Sequence, residues 1–251
     1  MHPDVIFEPW LRELIGEADV PARKIRPSRY SVTGYAATTK APVSQDAESS
    51  LEHDFLTLLE YDGKVERYLA QPFTIEWWDQ KNKRHRYTPD VVVKYSYFAM
   101  SDDPHLRTTI FEVKPRAVLK RDWDELKPKL RAAIGWAREH ECRFHIVTEK
   151  EIRTPYLTNA RFLLGYRSIY LRDNSALIGE RQHLIRETLF KLQHTTPRKL
   201  LEAISLDVTF QAELIPWIWN LVNQRLVGVD LAQPLNMASP IWTVDTLETL
   251  R

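Results

Sequence analysis

The sequence predicts a mixed α/β domain followed by a smaller helical domain. The first observation is that helical and strand-like segments alternate up to about residue 165. The second is a change after about residue 175, where helical segments continue without strands. We therefore expect one domain over residues 1–170 and a second over residues 171–251, both of ordinary domain size.

The elements of the first domain follow from the spacing of its apolar residues. Leu51, Phe55, Leu58 and Leu59 recur at helical spacing, which predicts a helix from about residue 50 to 61. Three segments rich in β-branched and aromatic residues come next and predict a meander of three or four strands: KVERYLAQPFTIEWWDQ, RHRYTPDVVVKYSYF and RTTIFEVKPR. A further helix, KRDWDELKPKLRAAIGWAREHE, and a strand, CRFHIVTEK, complete the domain.

The second domain consists of three predicted helices and a small hairpin. The helices are GERQHLIRETLFKLQ, TPRKLLEAI and FQAELIPWIWNLVNQRL, and VGVDLAQPLNMASPIWTV supplies the hairpin. This order is typical of a winged-helix module. The third helix carries Arg225 as its one basic residue, too few for groove binding, so protein docking is favoured. We expect Trp217 and Trp219 to lie in its core.

Composition and charge exclude several classes of protein. The 251 residues carry a formal net charge of +1, so any surface that binds nucleic acid has to be local. The single cysteine, Cys142, allows no internal disulfide. The first residues lack a basic leader with an apolar core, and no run approaches the ~20 apolar residues of a membrane span. We therefore expect a soluble cytoplasmic protein without a membrane partner.

The segments YTPDVVVKY and TIFEVKP carry charged residues on strands that otherwise look buried. Alternate side chains share a face of a strand, so Glu112 and Lys114 share one face and Asp90 lies on one face of its own strand. Two carboxylates brought together repel each other unless a cation lies between them, and Mg²⁺ prefers carboxylate and phosphate oxygens. Lys114 could then hold an attacking water or neutralise charge on a phosphate.

The pattern Pro89-Asp90, then Glu112-Val113-Lys114, is that of the PD-(D/E)xK nucleases. It predicts a restriction-endonuclease-like mixed sheet flanked by helices. The alternative is an ion pair between Glu112 and Lys114 on a solvated sheet face. Glu52 also has two interpretations: a third carboxylate that reaches the edge of the sheet, or the partner of Ser49 in a capping box.

The sequence resembles the TnsA endonuclease subunit of heteromeric bacterial transposases. Ordered matches over about residues 23–150 carry the resemblance: RKIRPSRYSVTGY, ESSLEHDFLTLLEYDGKV, AQPFTIEW, YTPDVVV and FEVKPR. The resemblance implies that Glu52, Asp90 and Lys114 are catalytic, together with Glu112, where some members have glutamine. It also implies a metal site for Mg²⁺, with Mn²⁺ as a substitute, formed by Glu52, Asp90, Glu112 and the backbone carbonyl of Val113.

In that family the subunit nicks the 5′ ends of the transposon. The resemblance thus implies three partners: double-stranded DNA at the transposon ends, a TnsB-type transposase that processes the 3′ ends, and a TnsC-type AAA+ ATPase. Two alternatives stay open. One is a free-standing restriction or repair nuclease of the same fold, and the other is a catalytically inactive DNA-binding or scaffolding adaptor.

Two basic clusters are candidates for contact with DNA. The first lies in an N-terminal basic arm, where it could equally contact the TnsB-type partner, and comprises Arg23, Lys24, Arg26 and Arg29. The second lies at an expected hairpin tip, where charge is also ordinary solvation, and includes Lys83, Arg84 and Arg86. A zinc site from His140, Cys142 and His145 would lack a fourth ligand nearby, so we expect structural roles for these residues.

Overall fold

A computed structural model of the chain describes residues 49–79, 81–169 and 175–244, together with residues 10, 11, 13, 38–41 and 47; for residues 175–177 it describes the backbone alone. The chain divides into two compact units, of which the first ends at Ile152 and the second continues from Arg153. Within the described ranges, no helix combines the length and hydrophobicity that a membrane span requires.

Helix α1 spans Ser50–Tyr61, in agreement with its sequence-based prediction. Its N-cap is Ser49, whose Oγ accepts a hydrogen bond from the backbone N–H of Glu52 at 3.2 Å. The helix ends where the N–H of Asp62 donates to the carbonyl of Leu58 at 2.8 Å. Phe55 packs on Phe111 with 5.0 Å between the ring centroids, which attaches α1 to the sheet.

The described elements that follow α1 in the first unit are six strands and four helices. In chain order they are β1 (Val65–Ala70), β2 (Ile75–Trp78), β3 (Arg84–Tyr87), β4 (Val91–Tyr95), α2 (Tyr97–Asp102), β5 (Thr109–Val113), α3 (Arg116–Arg121), α4 (Trp123–Glu139), β6 (Arg143–Val147) and α5 (Glu149–Ile152). The main sheet has the order β1-β4-β5-β6, in which β5 and β6 are parallel and the other pairs antiparallel. It is therefore a mixed sheet flanked by helices.

The predicted meander is wrong in its strand order. β1 pairs with β4, and β2 and β3 form a separate two-stranded hairpin. The chain leaves the main sheet after Ala70, where Gln71 adopts φ 48° and Pro72 follows. Gln71 still donates its N–H to the carbonyl of Asp90 at 2.8 Å, so the hairpin leaves and rejoins the sheet at one point.

One apolar cluster lies between the main sheet, the hairpin and α4. Its members are all less than one-tenth exposed: Leu11, Phe73, Ile75, Tyr87, Val92, Ile110, Ala133 and Ala137. Phe73 stacks on Trp136 of α4 with 4.5 Å between the ring centroids. Because Val92 and Ile110 belong to this cluster, the sheet face that also carries Glu112 is covered by α4 and the hairpin.

The second unit contains four helices and a three-stranded sheet among its described residues. They are α6 (Pro155–Leu164), α7 (Ser175–Leu192), β7 (His194–Thr195), α8 (Pro197–Ile204), α9 (Val208–Asn223), β8 (Val227–Val229) and β9 (Ile241–Thr243). The sheet has the order β7-β9-β8, and the predicted hairpin corresponds to β8 and β9. Trp217 and Trp219 are 1% and 3% exposed, which confirms their core role.

The division between the units lies before residue 170, the boundary that the sequence suggested. The reason is that α6 packs on α9. Asn159 of α6 is also buried, and its side-chain amide donates to the carbonyls of Leu231 and Gln233, both at 2.8 Å. Its Oδ1 accepts from the N–H of Leu235 at 3.1 Å, so α6 fixes the loop between β8 and β9.

A substitution at Gly228 of β8 tests the packing of the small sheet in this unit. It pairs with Trp242 across the sheet, and a Cβ added at Gly228 would overlap the indole ring. Gly228→Ala should therefore lower the free energy of unfolding by about 2 kcal/mol. Gly179→Ala is the control, because an added Cβ there meets nothing within 4 Å in exposed helix and should be neutral or stabilising. Equal urea midpoints for the two variants would contradict the prediction.

Candidate active site

The two carboxylates of the strand motif lie opposite each other. Val91 of β4 pairs with Phe111 of β5 in the antiparallel register, which places Asp90 across from Glu112. Asp90 Oδ2 accepts a hydrogen bond of 2.7 Å from the backbone N–H of Val113, so the side chain is fixed to the end of the neighbouring strand. The sequence prediction that these strands bring the motif together is confirmed by this register.

Glu112 is buried, with 1% of its side chain exposed. Its Oε2 accepts from the hydroxyl of Tyr87 at 2.5 Å. Its Oε1 lies 3.1 Å from Nζ of Lys129 and 3.5 Å from Nζ of Lys114. The alternative is right about the ion pair between Glu112 and Lys114 but wrong about a solvated face, because the hairpin and α4 cover this face. Burying an unpaired carboxylate would cost much free energy, so the three partners of Glu112 are what allow it to be buried here.

Lys114 connects the two carboxylates. Its Nζ lies 3.5 Å from Glu112 Oε1 and 4.0 Å from Asp90 Oδ2. Its backbone N–H donates to the carbonyl of Val147 at 3.1 Å, which extends the pairing of β5 with β6 and fixes the residue where the strand ends. Burial by itself lowers the pKa of Lys114, but the charges of Asp90 and Glu112 outweigh it, and the pKa is raised. The side chain is therefore a cation near neutral pH.

The pKa of Asp90 is raised from 3.8 to about 7. Burial is the largest cause, and the negative charge of Glu112 is the second. Lys114 and the Val113 N–H act in the opposite direction without cancelling these effects. Burial and the charge of Glu112 thus disfavour the ionised form of Asp90, and a cation bound beside it would favour that form.

The hydrogen bonds of Glu52 support the capping interpretation, and its role as a third carboxylate of the site stays a prediction. Ser49 Oγ donates to Glu52 Oε1 at 3.0 Å and accepts from the Glu52 N–H, so the residue takes part in capping α1. Its negative charge also contributes to the raised pKa of Asp90 and of Lys114, which places it within electrostatic range of the motif. Capping therefore fixes the end of α1 that lies near the two strands.

The donor chemistry of the site fits a divalent cation. Asp90 and Glu112 lie opposite each other on adjacent strands, and Lys114 Nζ is within 4.0 Å of both carboxylates. The next carbonyl along β5 belongs to Val113, and oxygen donors are those that Mg²⁺ prefers. In the part of the chain that the structure describes, no three His, Cys, Asp or Glu side chains are close enough to enclose a metal. Glu52 is therefore not gathered with the other two carboxylates into one closed cage.

Two residues of the site were missed by sequence reasoning, Tyr87 and Lys129. Tyr87 ends β3, and Lys129 lies on α4 with its Nζ 5.1 Å from the centroid of the Tyr87 ring. The signal for Lys129 was its spacing, because it lies four residues before Ala133, which is fully buried. The signal for Tyr87 was weaker, since strand alternation places it on the inner face of its hairpin without indicating its partner.

The basic residues of the β2–β3 hairpin lie in strand β3 and in the turn before it. Arg84 and Arg86 both pair with Glu76, the latter at 2.9 Å from Nε to Oε1. Lys83 is exposed, and its backbone N–H donates to Asp79 Oδ1 at 2.9 Å. The hairpin thus presents two arginines that share one carboxylate. Arg23, Lys24, Arg26 and Arg29 lie outside the described residues.

Cys142 has a structural environment. It packs against the apolar cluster, and its Sγ donates to the carbonyl of His140 at 3.2 Å. Burial raises the pKa of the thiol to about 11, so it is not activated as a nucleophile. His140 stacks on Trp136 with 3.7 Å between the ring centroids. Both residues therefore belong to the packing of α4 on the sheet.

Comparison with known families gives one match. Residues 62–149 match the family model described as TnsA-like endonuclease N terminal. The matched segment contains Tyr87, Asp90, Glu112, Lys114 and Lys129, whereas Glu52 precedes it. No curated protein matches the chain. The match therefore covers the strands and the helix that form the site.

Proposed function

Because residues 62–149 form a TnsA-like endonuclease domain, we propose that the protein is the Mg²⁺-dependent DNA endonuclease subunit of a Tn7-type transposase. It nicks the 5′ ends of the transposon during excision, while a TnsB-type partner processes the 3′ ends. The observation that carries this proposal is the meeting of Asp90, Glu112 and Lys114 at adjacent strand ends within the matched segment.

In the proposed reaction, water attacks the phosphorus and the bond from phosphorus to the 3′ oxygen breaks. The products are a 5′-phosphate and a 3′-hydroxyl, with the leaving oxygen taking up a proton. Asp90, Glu112 and Glu52, with the Val113 carbonyl, are the proposed ligands of Mg²⁺, for which Mn²⁺ substitutes. The metal supplies charge neutralisation at the phosphate and an activated water.

Lys114 has the role of a cation at the reacting phosphate. Its Nζ lies within 4.0 Å of both carboxylates that would hold the metal. A charge at this position can orient the attacking water and offset the negative charge that develops on the phosphate oxygens. Since Lys114 immediately follows β5 and its N–H is bonded to Val147, its backbone is positioned before substrate arrives.

Contacts with double-stranded DNA are proposed for the two basic clusters. Arg84 and Arg86 lie in β3, the strand that precedes Asp90 in the chain, and Lys83 lies immediately before β3. Arginine and lysine side chains at such positions bind phosphates and carry no sequence information by themselves. We include Arg23, Lys24, Arg26 and Arg29 on their resemblance to the family. Recognition of the transposon ends would then come mainly from the TnsB-type partner.

The second unit is proposed as a winged-helix-like docking domain for a TnsC-type AAA+ ATPase. The order α7, β7, α8, α9, β8, β9 with a three-stranded sheet supports the winged-helix assignment. The exposed surface of α9 offers little positive charge, because its residues Val208–Asn223 contain no Lys or Arg. This composition favours protein docking over groove binding.

The test of the proposed function is strand-specific cleavage of labelled transposon-end DNA with Mg²⁺ and the cognate partner proteins. We expect Lys114→Ala to slow the 5′ nick about a hundredfold and leave 3′ cleavage intact, since one charge at the reacting phosphate is lost. EDTA should abolish the 5′ nick. Cleavage by the protein alone would favour the free-standing nuclease instead. Unchanged 5′ nicking in both Lys114→Ala and Asp90→Ala would favour the adaptor.

A further inference from the structure

Lys129 supplies a second cation to the buried carboxylate of the site. Its Nζ is 3.1 Å from Glu112 Oε1, closer than the 3.5 Å of Lys114. Nζ of Lys114 is also 4.0 Å from Oδ2 of Asp90, whereas Lys129 forms an ion pair with Glu112. The two lysines therefore differ in position: Lys129 is paired with Glu112, and Lys114 lies between the two carboxylates.

The position of Lys129 is built into the packing of α4. Leu130 and Ala133, its neighbours on the helix, are 3% and 0% exposed. The ammonium of Lys129 lies over the ring of Tyr87, and the hydroxyl of Tyr87 donates to the other oxygen of Glu112. Each oxygen of Glu112 thus has a partner, and the two partners contact each other. Such a closed set of contacts restricts the rotamers of all three side chains.

The charges of the site show what this arrangement achieves. Two carboxylates, Asp90 and Glu112, face two ammonium groups, Lys114 and Lys129. Glu112 is almost completely buried, so it needs a cationic partner at short distance. Without Lys129, that partner would have to be Lys114. Its Nζ would then move toward Glu112 and away from Asp90 and from a bound phosphate.

We propose that Lys129 is a positioning residue of the nuclease site, which pairs with Glu112 and thereby leaves Lys114 available to the scissile phosphate. The inference rests on the proposed function of the same site. It assigns Lys129 no contact with DNA or with the reacting atoms. Tyr87 supports it by holding the second oxygen of Glu112.

A distinctive consequence concerns the metal. The positive charge of Lys129 opposes a divalent cation at the neighbouring carboxylates, so its removal should strengthen metal binding. It should also misplace Lys114 and slow the nick. We therefore expect Lys129→Met to bind Mn²⁺ about fivefold to tenfold more tightly and to nick about tenfold to a hundredfold more slowly. A residue that only supported the fold would weaken both together.

The experiment uses the full chain and four proteins: wild type, Lys129→Met, Lys129→Arg and Lys127→Met. Lys127 lies on the same helix, and its replacement removes the same charge from a position with no recorded ion pair among the described residues. Mn²⁺ binding is measured without DNA, and the single-turnover 5′ nick is measured with partners at saturating metal and DNA. Thermal unfolding of each variant shows that it is folded.

We expect Lys129→Met to bind Mn²⁺ more tightly and to nick more slowly. Lys129→Arg should recover much of the nicking rate, and Lys127→Met should behave like wild type. A wild-type nicking rate in Lys129→Met, or weaker Mn²⁺ binding in that variant, would overturn the inference. If wild type itself does not nick, the proposed function fails. In that case the Mn²⁺ titrations alone test the role of Lys129. An unchanged Mn²⁺ affinity in Lys129→Met, or no Mn²⁺ binding by wild type, would overturn that role.

Discussion

Asp90→Asn should make the metal-free protein more stable above pH 7 and strongly slow the 5′ nick. The pKa of Asp90 is raised from 3.8 to about 7, chiefly by burial and then by the charge of Glu112. The ionised side chain is thus unfavourable in the folded state. Asparagine carries no charge, and its side-chain oxygen can still accept the hydrogen bond from the N–H of Val113.

The sign of the effect follows from the direction of the shift. A carboxyl whose pKa is raised on folding contributes stability below its unfolded pKa of 3.8, and this contribution is lost as pH rises through about 7. At one pKa unit per 1.36 kcal/mol, the loss amounts to at most about 4 kcal/mol at pH 8. The advantage of Asp90→Asn should therefore be largest at pH 8 and small near pH 4.

Urea unfolding in EDTA at several pH values measures this difference. Asp102→Asn is a suitable control, because Asp102 is an exposed acidic residue at the end of α2. It should change the free energy of unfolding by less than about 0.5 kcal/mol at every pH. Cleavage of transposon-end DNA by Asp90→Asn should fall by about a thousandfold or more, as expected for loss of a metal ligand. A variant that is destabilised at pH 8, or that nicks at the wild-type rate, contradicts the assignment of Asp90.

Glu112→Ala should destabilise the metal-free protein by about 3 kcal/mol or more. The substitution leaves Lys129 and Lys114 without the anion that they share, and the hydroxyl of Tyr87 loses its acceptor. Glu112→Gln should cost less, because its side-chain oxygen can still accept from Tyr87 and the repulsion with Asp90 disappears. We expect the order of stability to be wild type, then Gln, then Ala.

An exposed pair provides the matched control for Glu112. Glu66 pairs with Lys94 at 3.3 Å on the same sheet, with 43% and 33% of the two side chains exposed. Glu66→Ala should change the free energy of unfolding by less than about 1 kcal/mol, since exposed ion pairs contribute little. Urea unfolding at pH 7 compares the three variants. If Glu112→Ala and Glu66→Ala lose equal stability, the buried network around Glu112 contributes nothing.

Local patterns in the sequence predicted the elements that need no distant partner. The helix Ser50–Tyr61 was predicted with its ends, because Ser49 caps it and Asp62 stops it within the same stretch of chain. The period of two in a strand likewise placed Glu112 and Lys114 on one face. The matching of Asp90 to Glu112 needed only that β4 and β5 be neighbours, and they are.

Strand order and burial depended on distant contacts. The sequence suggested a consecutive meander, but β1 pairs with β4 while β2 and β3 leave the sheet. The same hairpin, with α4, covers the face of Glu112, which the sequence left open to solvent as an alternative. The domain boundary suggested at residue 170 would place α6 in the first domain, whereas its contacts with α9 and with the loop beyond Leu231 assign it to the second.

The sequence by itself determined which acidic and basic residues form the motif and which of them share a strand face or cap a helix. Alternation along a strand and capping of a helix are local properties. The tertiary structure decided how those charges are compensated. Lys129 is 17 residues from Glu112 in the chain and Tyr87 is 25, and neither carries a pattern that names its partner. They meet Glu112 because the apolar faces of α4 and of the β2–β3 hairpin pack on the side of the sheet that carries Glu112. A carboxylate buried there needs its counter-charges on the same side.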